Sequence, residues 1–282
     1  MKITILINCP DQSGIISAVT SFIHTKGGNI VYIDQYVDKE SAIFFMRLES
    51  IFNTPITFED FKSNFDSQLA QKYQMQWEMH KEITVPKMAL FVSKYDHCLY
   101  DLLSRFSSGE LDVNIPLVIS NHEKAASIAA QFNIPFHYIP VTKTTKKEAE
   151  SKQLALLAEY KVDFIVLARY MQIISQAVID QFPNKIINIH HSFLPAFAGA
   201  KPYHAAYKRG VKIIGATSHY VTADLDEGPI IEQDVATVSH THSIEDLIAK
   251  GRDLEKIVLA RAVKQHINRK TMVFNNKTVV FI

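Results

Sequence analysis

Cysteine is scarce in this chain: two residues among 282, Cys9 and Cys98. Neither sits at a metal-ligand spacing, and two isolated cysteines in so long a chain read as buried thiols rather than a disulfide framework. An excess of one charge sign is lacking too. Thirty basic residues face 29 acidic ones, a formal net charge of +1. With no long like-charge run, nothing suggests an electrostatic nucleic-acid or membrane binder, and a local basic pocket for a small anion stays open. No apolar run approaches the ~20 residues that span a bilayer. The opening MKITILINCPDQSG alternates and is closed by Pro10 and Asp11, which makes it a strand rather than a signal sequence. These absences leave a protein expected in the cytoplasm.

What is present divides by periodicity. Ile3, Ile5 and Ile7 fall on one face of a strand. Asp11 or Ser13 is placed to cap a helix whose apolar positions are Ile15, Ile16, Val19, Phe22 and Ile23. Two strands follow, NIVYIDQYV and SAIFFMRLE, then a helix carrying Phe58, Phe61, Phe65 and Leu69, then MQWEM as a last strand. The order β-α-β-β-α-β is the ferredoxin-like arrangement. CPDQSGIISAVTSFIHTKGGNI resembles the start of an ACT domain, a regulatory amino-acid-binding module, with Asp11, Gly14 and Asn29 matching its effector positions. That resemblance implies an amino-acid effector such as glycine or methionine, and a homo-oligomer, because ACT domains often pair.

KEITVPK marks the boundary, giving an N-terminal domain over 1–83 and a second over 84–282. Beyond Pro86 short apolar strands (MALFVSK, NIPLVIS, DFIVLA, KIINIH) alternate with helical segments, one of them opened by a Thr145–Glu148 capping box. This rhythm indicates an α/β domain with a doubly wound, mostly parallel sheet. Ligands of such sheets bind beyond the carboxyl ends of the strands, where LARYM (167–171) and NIH (188–190) fall. A charged helix around 243–266 and a hairpin turning at Asn275-Asn276 complete the chain.

Asn188 and His190 are two apart, so on a strand they project to the same side. An amide N–H and an imidazolium aimed at one oxygen can stabilise an oxyanion. Asp226, downstream of a strand containing His219 and followed by Gly228-Pro229, offers a carboxylate to orient or deprotonate water, or to set the imidazole's charge. His191 points to the opposite side of an extended strand. No H-x-x-x-H or carboxylate-rich zinc signature occurs, and Ser192 lies in no G-x-S-x-G elbow, so neither metal catalysis nor a serine nucleophile is expected.

The longer stretch INIHHSFLPAFAGAKPYHAAYKRGVKIIGATSHYVTADLDEGPIIEQDV resembles the signature region of formyltetrahydrofolate-dependent formyltransferases and hydrolases. The resemblance makes Asn188, His190 and Asp226 the catalytic trio, with His219 supporting it. It implies a folate pocket formed through Met171, Gln172 and Ile174 on one side and Thr222 on the other, with Gly199 nearby and no cofactor. Three features favour water over an amine acceptor. Glycinamide ribonucleotide transferases carry a Gly-Ser-Asn phosphate cradle where this chain reads SKYDHCLYDLL, with Asp96 set to repel a phosphate. They usually have proline where His191 stands. An ACT-like domain also precedes the catalytic domain, as in formyltetrahydrofolate deformylases, which the chain resembles over essentially its whole length. The implied reaction is hydrolysis of 10-formyltetrahydrofolate, serving one-carbon metabolism and formate supply for purine synthesis. Two rivals are a formyltransferase with an unrecognised acceptor and a catalytically dead amino-acid sensor.

Overall fold

A computed structural model describes residues 1–53, 56–81, 85–196 and 202–282. The chain divides into two units, Met1–Val85 with Phe281–Ile282, and Pro86–Val280.

The first unit runs β1 (Lys2–Pro10), α1 (Ile15–Thr25), β2 (Gly28–Asp38), β3 (Ile43–Phe52), α2 (Phe58–Phe65), α3 (Gln71–Tyr73) and β4 (Gln76–Lys81), with a π-helical turn over Asp66–Ala70 joining α2 to α3. The sheet order is β2-β3-β1-β4, antiparallel throughout, as the ferredoxin-like pattern requires. Alternation in β1 sends Ile3, Ile5 and Ile7 to the helical side, where they meet Val19, Phe22, Ile23, Phe61 and Phe65. Phe22 anchors the two helices, its ring 5.3 Å from Phe61 and 5.6 Å from Phe65. Two local expectations fail. Neither Asp11 nor Ser13 caps α1, whose N-cap is Gly14 with no side-chain bond, and Ile16 faces outward.

The second unit comprises β5 (Lys87–Val92), α4 (His97–Ser107), β6 (Asn114–Ser120), α5 (Ala126–Gln131), β7 (Phe136–Tyr138), α6 (Lys146–Glu159), β8 (Phe164–Ala168), α7 (Gln176–Ile179), β9 (Ile186–His190), α8 (Pro202–Arg209), β10 (Ile213–Tyr220), β11 (Ile230–Thr237), α9 (Ile244–Ile267) and the hairpin β12 (Thr271–Phe274)–β13 (Lys277–Val280). Its main sheet is ordered β11-β10-β9-β8-β5-β6-β7. The ladders from β7 to β9 are parallel, and β10 and β11 are antiparallel. From β5 the chain winds outward through β6 and β7, then returns to β5's other side for β8 and β9. The crevice at that reversal, beyond the carboxyl ends of β5 and β8, is where open α/β sheets bind ligands.

Both sheet faces are covered. Met88, Leu90, Val166 and Ile187 pack toward α4 and α9, while Phe91, Ile165, Leu167 and Ile186 pack on the other side with Ala149 and Leu157 of α6. Burial on two faces explains the nearly continuous apolar strands. Thr145 does not cap α6, because its hydroxyl bonds Thr142 Oγ1 at 2.8 Å and closes a turn instead. The one capping box, among the described residues, is Ser243 with Asp246 at the start of α9. The hairpin turns at Asn275 and Asn276, with φ of 45° and 58°, the positive values a tight two-residue connection needs.

Candidate active site

β9 ends at the site, and β10 runs antiparallel beside it with His219 directly opposite Asn188. A bulge in the β10–β11 ladder falls between Ser218 and His219. The chain then leaves β10 through Val221–Glu227 and returns at Pro229, whose carbonyl accepts the Tyr220 N–H. Within that loop Asp226 adopts φ 59°. For a non-glycine residue this conformation costs on the order of 1–3 kcal/mol and persists only where its surroundings enforce it. Gly228 is one such constraint: a Cβ there would lie 1.8 Å from the Tyr220 carbonyl oxygen. Asn276 is another, donating from Nδ2 to the Glu227 carbonyl at 2.8 Å.

The result is a connected set of side chains. His190 Nδ1 lies 3.2 Å from Asp226 Oδ2. His219 Nε2 lies 3.1 Å from Asn188 Nδ2 and 3.8 Å from Asp226 Oδ1, and its Nδ1 is 2.9 Å from the Tyr220 carbonyl. A carbonyl only accepts, so His219 Nδ1 carries the proton and Nε2 of the neutral ring is an acceptor. The Asn188 amide must therefore turn its NH2 toward His219, leaving its second N–H for a ligand. Burial holds the His219 pKa below its ordinary value, against the opposing pull of the Tyr220 carbonyl and Asp226, and so keeps the ring neutral. The hydrogen bond from His190 holds the Asp226 carboxyl below the usual range, outweighing its partial burial. His190 Nε2 is buried and has no hydrogen-bond partner among the described residues.

These groups line one cavity of about 340 Å³. Met171, Gln172, Ile174, Thr222 and His219 border it together with Asn188, His190 and Asp226. The far wall is held by its own bonds: Met171 N–H donates to Ser93 Oγ at 2.9 Å, and Ser175 N–H to Glu150 Oε1 at 3.0 Å. Met171, Ile173 and Leu225 expose apolar surface, suited to a flat aromatic ligand. Gly199 lies outside the described residues. His191 is expected to point away, yet it also borders the cavity, its ring 5.9 Å from Tyr203. It follows the last residue of β9, so strict strand alternation no longer governs it.

Sequence reasoning passed over a buried ionic cluster behind this wall. Glu255 of α9, 1% exposed, accepts from Tyr203 Oη at 2.6 Å and His97 Nε2 at 2.9 Å, and Arg169 Nε lies 3.2 Å away. Burial pushes the Glu255 carboxyl up, but the His97 bond, the guanidinium and the Tyr203 hydroxyl together bring it below its ordinary value. Gly251, one turn earlier, makes room: a Cβ there would come within 2.1 Å of Tyr203 Oη. His97, Cys98 and Glu255 bring ligand-type atoms within 4.8 Å of one another. Arg169 already supplies the cation there, and burial keeps the Cys98 thiol protonated. Asp96, expected to repel a phosphate as a free charge, is paired with Lys124 at 2.7 Å.

In the first unit Asp11 and Gly14 line an open depression of about 660 Å³ with Gln35 and Phe44. Asn29 is not among its lining residues and pairs with Ile51 at the start of β2.

A doubly wound sheet with an Asn–His–Asp group beyond its strand ends, joined to a ferredoxin-like unit, defines a formyl-transfer fold carrying a second, ferredoxin-like module. Comparison agrees: residues 86–263 match the formyl transferase family and residues 3–66 the ACT domain. The chain is 53% identical to a formyltetrahydrofolate deformylase of Synechocystis sp., over 99% of this chain and 98% of the relative. Identity to the Bacillus subtilis protein of that name is 50%, over 98% and 93%. The crystal structure of a formyltetrahydrofolate deformylase from Pseudomonas syringae is similar with a TM-score of 0.97 at 43% identity, over 100% of this chain and 95% of that one. The chain belongs to the formyltetrahydrofolate deformylase family and is a hydrolase. No helix among the described residues is long and apolar enough to cross a membrane.

Proposed function

We propose that this protein hydrolyses 10-formyltetrahydrofolate to tetrahydrofolate and formate, with Asn188, His190 and Asp226 as catalytic residues. The observation that carries the reading is the pairing of Asp226 with His190 at 3.2 Å beside an Asn188 amide whose free N–H faces a cavity. The apolar wall receives the pterin, and the N10-formyl group sits against Asn188 and His190.

Asp226, ionised at neutral pH, orients a water and accepts one of its protons as the oxygen attacks the formyl carbon. The Asn188 N–H and the protonated His190 Nε2–H donate to the oxyanion as the C=O π electrons move onto oxygen. Such donors contribute on the order of 10²–10³ in rate each. Collapse breaks the C–N10 bond, and His190 delivers its Nε2 proton to N10. Formic acid and tetrahydrofolate result. One proton returns to His190 and one is released, so a single water is consumed per formate. His219 stays neutral and positions Asn188.

Formate supply for purine synthesis and a cytoplasmic site of action fit this chemistry. We assign an amino-acid effector, glycine or methionine, to the depression bordered by Asp11 and Gly14, and expect a homo-oligomer. The test follows tetrahydrofolate and formate release without an amine acceptor. Stoichiometric release supports hydrolysis, whereas turnover only on adding an acceptor overturns it in favour of transfer. Turnover that responds to glycine or methionine, and loses the response on Asp11→Ala, supports the effector assignment.

A further inference from the structure

Arg169 is a cation on the cavity wall for which the hydrolytic steps have no use. It follows β8, and its backbone φ of 63° turns the chain off the strand. On the neighbouring strand Leu167 is paired with Asn188. Two residues beyond that pair stand Arg169 on one chain segment and His190 on the other, and both border the cavity. Arg169 and His190 thus stand at the cavity ends of neighbouring strands.

The side chain is 8% exposed, and its polar and ring contacts among the described residues are an ion pair from Nε to Glu255 and the face of Tyr95, 5.3 Å from the ring centre. Nε itself makes no aligned hydrogen bond there. Glu255 meanwhile is shared with Tyr203 and His97. A guanidinium has five N–H donors in a planar fork matched to a carboxylate, and its Nε, buried without an aligned hydrogen bond, calls for an explanation.

We propose that Arg169 is the anion-binding group of the cavity and receives the carboxylate of the product formate. The identity of the anion rests on the hydrolytic reading above. Hydrolysis converts a neutral formamide into an anion within a cavity that already holds the Asp226 carboxylate, and like charges at such range repel. A fixed guanidinium on the adjacent strand end offsets that repulsion and draws formate away from the carbon's former position, clearing the site for water. Glu255 sets the orientation of the fork from behind, and Tyr203 and His97 hold Glu255. This assigns Arg169 to binding, and Glu255 to positioning.

The test measures product inhibition by sodium formate, with sodium chloride at equal ionic strength as control. Full-length wild type, Arg169→Lys, Arg169→Gln and the double variant Arg169→Gln/Glu255→Gln are compared. The double variant removes both charges, so no orphan carboxylate is left to unfold the chain. In parallel, formate is titrated calorimetrically into each protein saturated with tetrahydrofolate. We expect formate affinity to fall by about tenfold or more in the two Gln-at-169 proteins, the scale of one charge-assisted pair. It should fall less in Arg169→Lys, and tetrahydrofolate affinity should stay within about twofold. Equal formate affinity in wild type and the double variant overturns the proposal, because a purely structural Arg169 would shift melting temperature and leave formate binding alone. Failure of the wild type to release formate from 10-formyltetrahydrofolate overturns the hydrolytic reading instead, and the calorimetric arm still decides the role of Arg169.

Discussion

His219 and Asn188 face each other across the β9–β10 ladder, with Nε2 of the imidazole 3.1 Å from Nδ2 of the amide. Since Nδ1–H of His219 donates to the Tyr220 carbonyl, the neutral ring works as a one-sided clamp. It accepts one amide hydrogen and thereby aims the other.

Replacing the clamp should therefore damage catalysis more than binding. His219→Ala is expected to lower kcat by about 10- to 100-fold, part of the contribution of one oxyanion donor, with KM changed by less than about threefold. Steady-state kinetics check this. A rise in KM at constant kcat would place His219 in ground-state binding instead.

The pH dependence of stability has a definite sign. Burial holds the folded pKa of His219 below the ordinary imidazole value of 6.5. Above pH 6.5 the ring is neutral in both states. Below it the unfolded chain takes up the proton first, so stability falls as pH drops from there to the folded pKa. Asp226, whose folded pKa lies below 3.8, adds stability above that value, lost as pH falls through its folded pKa. Urea midpoints across pH 4–7 should decline more steeply on the acid side for wild type than for His219→Phe.

Asp226→Asn is expected to cut turnover by about 10³-fold or more while folate affinity stays within about threefold. Calorimetry with tetrahydrofolate and a formate-release assay read the two quantities separately. Turnover near the wild-type rate would remove Asp226 from the mechanism.

Glu255→Ala should destabilise the second unit by about 3–5 kcal/mol, because Arg169 is left as an uncompensated buried charge. Tyr203→Phe should cost about 1–3 kcal/mol, the loss of one hydrogen bond to a charged group. Melting curves of the full chain test both, and the larger loss belongs to Glu255→Ala.

The ladders and the trio were legible because they rest on local periodicity and a gapped motif: alternation in β1, apolar strands beyond Pro86, Asn188 two before His190, the D-E-G-P turn. The ionic cluster was not. Glu255 is separated by 158 residues from His97 and by 52 from Tyr203, and on a helix with charges on most turns nothing local marks the one that is buried. Arg169 had a signal of sorts, a lone charge ending an apolar strand. Helix starts depart from the sequence pattern for a smaller reason. At both Ser13 and Thr145 a polar residue stood where a cap belongs, but turn geometry engaged Thr145 elsewhere and moved the first cap to Gly14. His191 shows the limit of period-two reasoning, which lapses at the residue where the strand ends.

Gly228 touches no substrate in the proposed scheme and carries no chemistry, yet the Tyr220 carbonyl leaves no room there for even a methyl group. The carbonyl is the one that sets the His219 tautomer, and the loop it would displace is the one that carries Asp226. A single methyl at position 228 therefore strikes Asp226, His219 and, through His219, Asn188 at once. In any inventory of inactivating variants this glycine would score beside Asn188, His190 and Asp226, and its silence toward ligand would mark it as the keystone of their spacing rather than one of their number.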